Sequence, residues 1–424
     1  MLIFFGAIVA ALGMAAVLVL DIVFSAAPAY HFSLASVVDS ISDLFSLEPA
    51  FLAVEVAKVL LLVAICTTLT YLSLRKSQSA KTVALTCIVF AAFVTFLDIR
   101  LSANALAGSD AYTLNTNVSA SSFYSLGIAL GTANQDSQNQ DFQPAESASE
   151  VLRTPQAETG EQFESLILIV VESLGTFNDP GLDRFQLEPL VALADRAGIL
   201  LDQGSVKFEG STVPGELREL CGIRLLVVHP DMATLPTENC LPELLGNLGY
   251  TTWAIHGFIG TMFSRNRWYP ALFNTVWFAP ELDEQIVEAH RCGIAFHGIC
   301  DTDVWSLIVE LRSKEPASKK FIYWLTLSAH LPVEHPGMPG STNCSSFVVL
   351  VQNPGLCNLV LQQRQLFTEI AGSIARGELN NTRLLLVGDH APPFLNQDTR
   401  ALFSAKDVPF IDIQIGRHSN SQGR

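Results

Sequence analysis

The sequence predicts an α/β fold: a mostly parallel central sheet with helices on both faces, preceded by an N-terminal transmembrane helical region. Three observations carry this. From Phe163 onward short apolar runs alternate with helical patterns, the signature of βαβ units. Those runs are uniformly apolar, as strands buried on both faces are. And the first hundred residues hold stretches of about 20 apolar residues, the length that crosses a bilayer's ~30 Å hydrocarbon layer.

The composition agrees. Apolar residues make up 49% of the 424-residue chain and charged residues 16%, against about 25% charged in ordinary soluble domains. The formal charge of -16 argues against a nucleic-acid partner and suits a domain away from an anionic cytoplasmic leaflet.

In chain order, Leu2–Phe24 is the first candidate span, Pro49–Leu74 the second and Thr82–Leu97 the third. The second carries Glu55 and Lys58 near its start. The loop between the second and third holds Arg75, Lys76 and Lys81, whereas the loop before the second holds Asp39, Asp43 and Glu48. The positive-inside rule makes the basic loop cytoplasmic. Residues 1–101 thus form about three helices, with all that follows outside. Residues 102–162, rich in Ser, Ala, Asn, Gln and Thr, read as a linker, partly disordered; Ser119–Leu130 could form an interfacial helix. Residues 163–424 form the extracytoplasmic domain.

Within that domain, Leu166–Val171 reads as a strand, Leu187–Arg196 as a helix, Pro214–Leu220 as a helix with proline in its first turn, and Leu241–Leu248 as a helix. Thr251–Ile255 and Phe321–Leu327 read as strands, Leu359–Gly377 as a long helix, Leu384–Val387 as a strand, and Val408–Ile413 as a terminal strand. Cys221, Cys240, Cys292, Cys300, Cys344 and Cys357 fall into three near-neighbour pairs without a CxxC. Local disulfides in an oxidising compartment are the expected reading, and free buried thiols are the alternative. Local pairing is the simplest connectivity, though spacing does not choose it.

Chemistry collects where strands end. The Leu384–Val387 run passes through Gly388 into Asp389-His390, and the first strand runs into Glu172. Thr251–Ile255 leads to His256, and Phe321–Leu327 leads to Ser328-Ala329-His330. In open α/β sheets ligands gather at the strands' carboxyl ends, and carboxylates with imidazole suit a divalent cation. One Asp-His pair alone reads equally well as a capped loop; four such strand ends point to a metal. Gly210-Ser211-Thr212 opens a helix, where backbone N–H groups attract phosphate. A hydroxyl there, metal-bound, becomes a usable nucleophile, although an N-cap is the commoner role. Arg265, before Trp268 and Tyr269, offers a phosphate clamp beside an aromatic wall.

These stretches resemble the membrane-anchored, sulfatase-like phosphotransferases of the alkaline phosphatase superfamily. Lipoteichoic acid synthase and the phosphoglycerol transferases are nearest in pattern, and the lipid A phosphoethanolamine transferases are related. The resemblance rests on Val170–Gly175, Gly210–Thr212 with Glu216, Tyr250–Gly257 followed by Phe263–Asn266, Ser328–His330 and Gly388–His390, in the family's order. It implies an alkaline phosphatase-like fold and one divalent ion, Mn2+ or Zn2+, held by Glu172, Thr212, Asp389 and His390. It further implies Thr212 as nucleophile, His330 as the group that protonates the leaving alkoxide, and head-group contacts from His256 and Arg265. The implied partners are a membrane phospholipid donor, an envelope glycan or lipid acceptor, and the lipid bilayer, with the catalytic domain on the periplasmic side of the inner membrane. Phe263 replaces the family's favoured Trp, and Phe258 replaces its acidic residue. The formylglycine motif of true sulfatases is lacking: Thr212-Val213-Pro214-Gly215-Glu216 has no Arg, which disfavours sulfate-ester hydrolysis. A metal-dependent phosphodiesterase or phosphatase using water, or a non-catalytic membrane scaffold, are the alternatives.

Overall fold

The computed structural model describes residues 47–76, 142–153, 162–196, 198–208, 210–225, 232, 235–314, 318–335, 344–394 and 396–416. The chain divides into two compact units, Met1–Asn139 and Gln140–Arg424.

The first unit contributes one described helix, α1, Pro49–Lys76, over the second expected span. The first and third spans and the Ser119–Leu130 segment lie outside the described residues. Among the described residues no helix is long and apolar enough to cross a membrane. In α1 the Glu55–Lys58 ion pair and the terminal Arg75-Lys76 shorten the uninterrupted apolar run.

The second unit is built on seven strands: β1 (Ser165–Val171), β2 (Ile199–Lys207), β3 (Thr251–His256), β4 (Thr275–Trp277), β5 (Lys320–Leu325), β6 (Thr382–Gly388) and β7 (Asp407–Ile415). They form one sheet in the order β2-β7-β6-β1-β5-β3-β4. The five strands β6, β1, β5, β3 and β4 run parallel. The terminal strand β7 is antiparallel to both β6 and β2, so the sheet is mostly parallel, as its apolar runs predict.

Every residue of β1 is buried, and successive side chains enter opposite cores. Leu166, Leu168 and Val170 pack into one, Ile167, Ile169 and Val171 into the other, the period of two that pleating imposes. The first core is closed by α3 (Thr212–Cys221), α4 (Leu241–Asn247) and α5 (Arg265–Leu272) through residues such as Leu217, Leu245 and Trp268. The second is closed by α2 (Pro180–Val191), α6 (Asp301–Lys314) and α7 (Pro354–Ala375) through Leu190, Trp305 and Phe367. Helices therefore cover both faces. Each large apolar side chain so buried is worth roughly 1.5–3 kcal/mol.

Several boundaries differ from the sequence reading, each for a local reason. The helix expected from Leu187 begins at Pro180, because Asp179 accepts hydrogen bonds from the N–H groups of Gly181 and Leu182, and it ends in a 3-10 turn, Ala192–Asp195. The helix expected from Leu359 begins at Pro354, capped by Asn353. Strand β5 stops at Leu325, two residues early, because Asp301 takes the N–H groups of Leu327 and Ser328. Residues placed in the linker also join the fold: Phe142–Pro144 pairs antiparallel with Ile223–Leu225, and Ser149 N–H donates to the buried Glu219. Among the described residues three disulfides form, each local: Cys221–Cys240, Cys292–Cys300 and Cys344–Cys357.

Candidate metal centre

The sheet order itself assembles the site. Strands β6, β1, β5 and β3 are consecutive neighbours, each about 4.8 Å from the next, and all four end at one edge. Gly388 pairs with Val171, so the next residues, Asp389 and Glu172, leave the sheet side by side. His256 pairs with Leu325 at the end of β5, ahead of the turn that carries His330.

Glu172, Asp389 and His390 are all buried, with one ligand atom of each within 4.8 Å of the others. His390 Nε2 lies 3.6 Å from Glu172 Oε1 and 3.3 Å from Asp389 Oδ2. Thr212, half-buried at the start of α3, donates its hydroxyl to Glu172 Oε2 at 3.2 Å and lies 3.4 Å from His390 Nε2. The structure thus brings together all four residues expected to ligate a metal.

The donors fit such an ion. Asp389 Oδ1 accepts from the N–H groups of Ser173 and His390, at 2.8 and 2.7 Å, whereas Asp389 Oδ2 is buried without a hydrogen-bond partner. A buried carboxylate oxygen without a donor is costly and is what a cation would satisfy. His390 Nδ1–H donates to the Ala391 carbonyl at 2.9 Å, which leaves the Nε2 lone pair facing Thr212, the tautomer a ligating imidazole needs. Three oxygens and one imidazole nitrogen suit manganese or zinc.

The electrostatics point the same way. Burial pushes the Glu172 carboxyl up, but the imidazoles of His330 and His390 and the Ser173 hydroxyl outweigh it and hold it below its ordinary value. Asp389 is raised, first by burial and then by the Glu172 charge. Burial works against a charged His390, yet Asp389 and Glu172 raise it.

The surrounding chain holds these groups rigidly. Glu172 N–H donates to Thr326 Oγ1, and Gln363, itself paired with Gln186, donates to the carbonyls of Glu172 and Ser173. Ser173 sits at φ 55°, a strained region for a residue with a Cβ. A Cβ on Gly215 would lie 3.0 Å from Asp389 Cα, and one on Gly388 2.0 Å from the Leu174 carbonyl oxygen. Glycine at 388 is what lets the first strand's turn approach β6 this closely, and Gly215 keeps α3 in tight contact with it. Arg218, on the same helix as Thr212, donates to the carbonyls of Gly388 and Asp389 and pairs with Glu219.

His256, His330 and Arg265 flank the carboxylates. His256 is pushed down to about 3, by burial first and then by the Arg265 guanidinium; its Nδ1–H donates to the Leu325 carbonyl. His330 is also lowered, by burial, with Glu172 opposing. Its Nδ1–H donates to the Leu331 carbonyl, so Nε2 begins as an acceptor. Arg265 is only 2% exposed, and its Nε and Nη2 donate to Glu216 Oε2 at 3.0 and 2.7 Å. Tyr269 and Tyr323 donate their hydroxyls to the other oxygen of Glu216. The expected aromatic wall is corrected here: Trp268 and Tyr269 are buried in the first core, because the turn at Phe263-Ser264, both at φ 54°, aims α5 inward.

The sequence reading missed the support for these groups. Thr326, Gln363, Arg218 and Asp301 look like ordinary polar residues until the chain folds. Glu216, four residues after Thr212, was visible, but not as the partner of a residue 49 positions on.

The sulfatase family profile matches residues 165–411, more than half of the chain. No curated protein matches the sequence. Among solved structures, the chain is similar to the lipoteichoic acid synthase LtaP from Listeria monocytogenes, at 15% identity and TM-score 0.43, over 65% of this chain and 72% of that one. It is similar to the Streptococcus pyogenes phosphoglycerol transferase GacH in complex with sn-glycerol-1-phosphate, at 16% identity and TM-score 0.42, over 62% and 71%. It is also similar to the C-terminal periplasmic domain of EptC from Escherichia coli in complex with zinc, at 17% identity and TM-score 0.39, over 61% and 75%. With its matched region running from β1 into β7 and including Glu172, Thr212, Asp389 and His390, the chain belongs to the sulfatase family.

Proposed function

We propose that this protein transfers a phospholipid-derived head group, phosphoglycerol or phosphoethanolamine, to a cell-envelope glycan or lipid through a phospho-threonine intermediate. The observation that carries the reading is Thr212: a half-exposed hydroxyl at the first turn of α3, within hydrogen-bonding reach of Glu172 and His390, beside the unpartnered Asp389 Oδ2. Glu172, Thr212, Asp389 and His390 would hold one Mn2+ or Zn2+. Bound there, the ion supplies positive charge that lowers the pKa of the threonine hydroxyl and offsets charge on the phosphoryl oxygens.

The chain's own residues do the rest. The Thr212 hydroxyl gives up its proton to solvent, Oγ attacks phosphorus in line, and the phosphorus–oxygen bond to diacylglycerol breaks. The N-terminus of α3 favours the negative charge on the attached phosphoryl group. His330 Nε2 lies neutral in the free protein because burial outweighs Glu172. An anionic substrate beside it reverses that balance, so it can carry a proton to the leaving alkoxide. The acceptor hydroxyl then attacks phosphorus, returning a proton to His330; the bond from phosphorus to Thr212 Oγ breaks, and the threonine oxygen takes a proton back from solvent. His256 and Arg265 contact the head group; Arg265 does so through Nη1, since Glu216 holds Nε and Nη2. Threonine at the nucleophile position supports phosphoryl transfer over sulfate-ester hydrolysis. The apolar N-terminal stretches and the three disulfides support anchoring in the inner membrane with the catalytic domain on its periplasmic face, where a lipid donor is at high effective concentration.

Purified full-length protein, given a phospholipid labelled in its head group and then digested, is expected to show the head-group mass on the Thr212 peptide and label on a glycan or lipid acceptor. Thr212→Ala should lose both. Label found only in free head group would make the enzyme a hydrolase, and an unmodified Thr212 peptide with transfer intact would remove threonine from the mechanism.

A further inference from the structure

We propose that Asp301 is a positioning residue for His330: a buried carboxylate that locks the turn after β5 so that His330 stands in register with Glu172. The inference rests on the preceding reading only in assigning His330 a part in proton transfer; the placement itself does not depend on it.

Asp301 opens α6 and is 3% exposed. One of its oxygens accepts the N–H of Leu327 at 2.9 Å and the other that of Ser328 at 2.8 Å. Its own N–H donates back to Ser328 Oγ at 3.1 Å. These bonds take the two backbone donors that would otherwise extend β5, and they end the strand there. The next link is direct: Leu327, gripped at its N–H, accepts the N–H of His330 through its carbonyl at 2.9 Å. The preceding residue, Thr326, accepts the Glu172 N–H through its hydroxyl. One clamp, placed between Thr326 and His330, therefore ties the imidazole to the metal-facing carboxylate. Charge-assisted hydrogen bonds to backbone N–H are among the stronger ones a carboxylate makes.

The clamp is anchored on its far side. The Cys292–Cys300 disulfide closes immediately before Asp301. Within that loop Phe296 packs its ring 3.8 Å from the His330 ring, centroid to centroid, and Ile299 N–H donates to the carbonyl of Gly257, the residue after His256. A Cβ on Gly298 would lie 2.3 Å from that same carbonyl oxygen. The loop thus touches both flanking histidines, His330 by ring contact and through Asp301, and His256 through its neighbour. The hydrogen bonds of Asp301 go to Leu327 and Ser328; it acts through the turn.

Two measurements on the full-length protein test this. In transfer assays, Asp301→Ala is expected to lower kcat roughly ten- to hundredfold, the scale of a misplaced catalytic group, with KM changed by no more than about threefold and metal content unchanged. Asp301→Asn, which keeps one accepting oxygen, should recover part of the loss. Independently of activity, carbethoxylation by diethyl pyrocarbonate, read by peptide mass spectrometry, should label His330 faster in Asp301→Ala than in wild type. The rate at His290, whose side chain is 81% exposed, should stay the same. Phe296→Leu, which removes the ring contact and keeps the carboxylate, should show the same shift in smaller degree, so the test survives if Asp301→Ala fails to fold. An unchanged His330 rate in Asp301→Asn and Phe296→Leu overturns the proposal, as does a kcat loss in Asp301→Ala that tracks loss of metal. If wild type shows no transfer while the His330 rate still responds to Asp301, the functional reading fails and the positioning role stands.

Discussion

Asp389 and Glu216 are both buried carboxylates, and their partners assign them different work. Glu216 is fully satisfied: Arg265, Tyr269 and Tyr323 take both its oxygens. It joins the helix of Thr212 to α5 and to β5. Glu216→Ala would leave the Arg265 guanidinium buried without its counter-charge, so a loss of about 3–5 kcal/mol in denaturant unfolding is expected. Glu216→Gln, which keeps one acceptor, should cost less; equal stability in all three proteins would show that Arg265 finds water instead. Asp389 has one oxygen satisfied and one not. Its carboxyl is raised by burial and by Glu172, and His390 is raised by both carboxylates. Bound protons on these groups compete with a cation, so metal affinity should fall as pH drops below neutrality. The fall is about tenfold per pH unit for each proton displaced, steepening while both groups protonate. Titration calorimetry with Zn2+ or Mn2+ at a series of pH values would show it. An affinity flat with pH would mean that these side chains are not the ligands.

At the scale of elements, the Cys221–Cys240 disulfide clamps the last residue of α3 to the residue that starts α4. It fixes the far end of the helix whose first residue is Thr212. Opening it, by Cys221→Ser with Cys240→Ser, should cost about 2–4 kcal/mol and should lower phosphoryl transfer more than metal content, since Glu172, Asp389 and His390 directly follow strands of the sheet. Denaturation with intact and opened disulfide measures the first, transfer assays the second. Element types were legible in the sequence where one physical signal dominated. The apolar run Leu166–Val171 admits a buried strand, and Pro214 marks the first turn of α3. Elements governed by partners were not legible. Strand β2, whose residues are mostly exposed or half-buried, is a strand only because β7 pairs with it along nine residues. Helix α6 went unread because its first residue, Asp301, is committed to a turn 26 residues away.

At the scale of the molecule, the site is a junction: β1 and β6, paired along their length, and α3, tied to β6 by Arg218, bring Glu172, Asp389, His390 and Thr212 together. A cation there would cross-link elements that are distant in the chain, and a ligand that binds only the folded state stabilises by mass action, about 2.7 kcal/mol at a hundredfold excess over Kd. Chelation should therefore lower the thermal midpoint of the catalytic unit, with recovery on adding Zn2+ or Mn2+. A midpoint insensitive to chelator would count against a metal at this junction.

By itself the sequence singled out the carboxylates and imidazoles that follow apolar runs and roughly where the strands that present them end. Those are local properties: hydrophobic period, turn residues, and a carboxylate or imidazole directly after an apolar run. It also marked the near-neighbour cysteines, which pair locally. The tertiary structure alone decided that four strand ends are adjacent. It decided too that Arg265 is held by Glu216, that Trp268 and Tyr269 belong to the core, and that Asp301 grips the turn before His330. Each of these depends on sheet order and on contacts across tens to hundreds of residues, which no local pattern encodes.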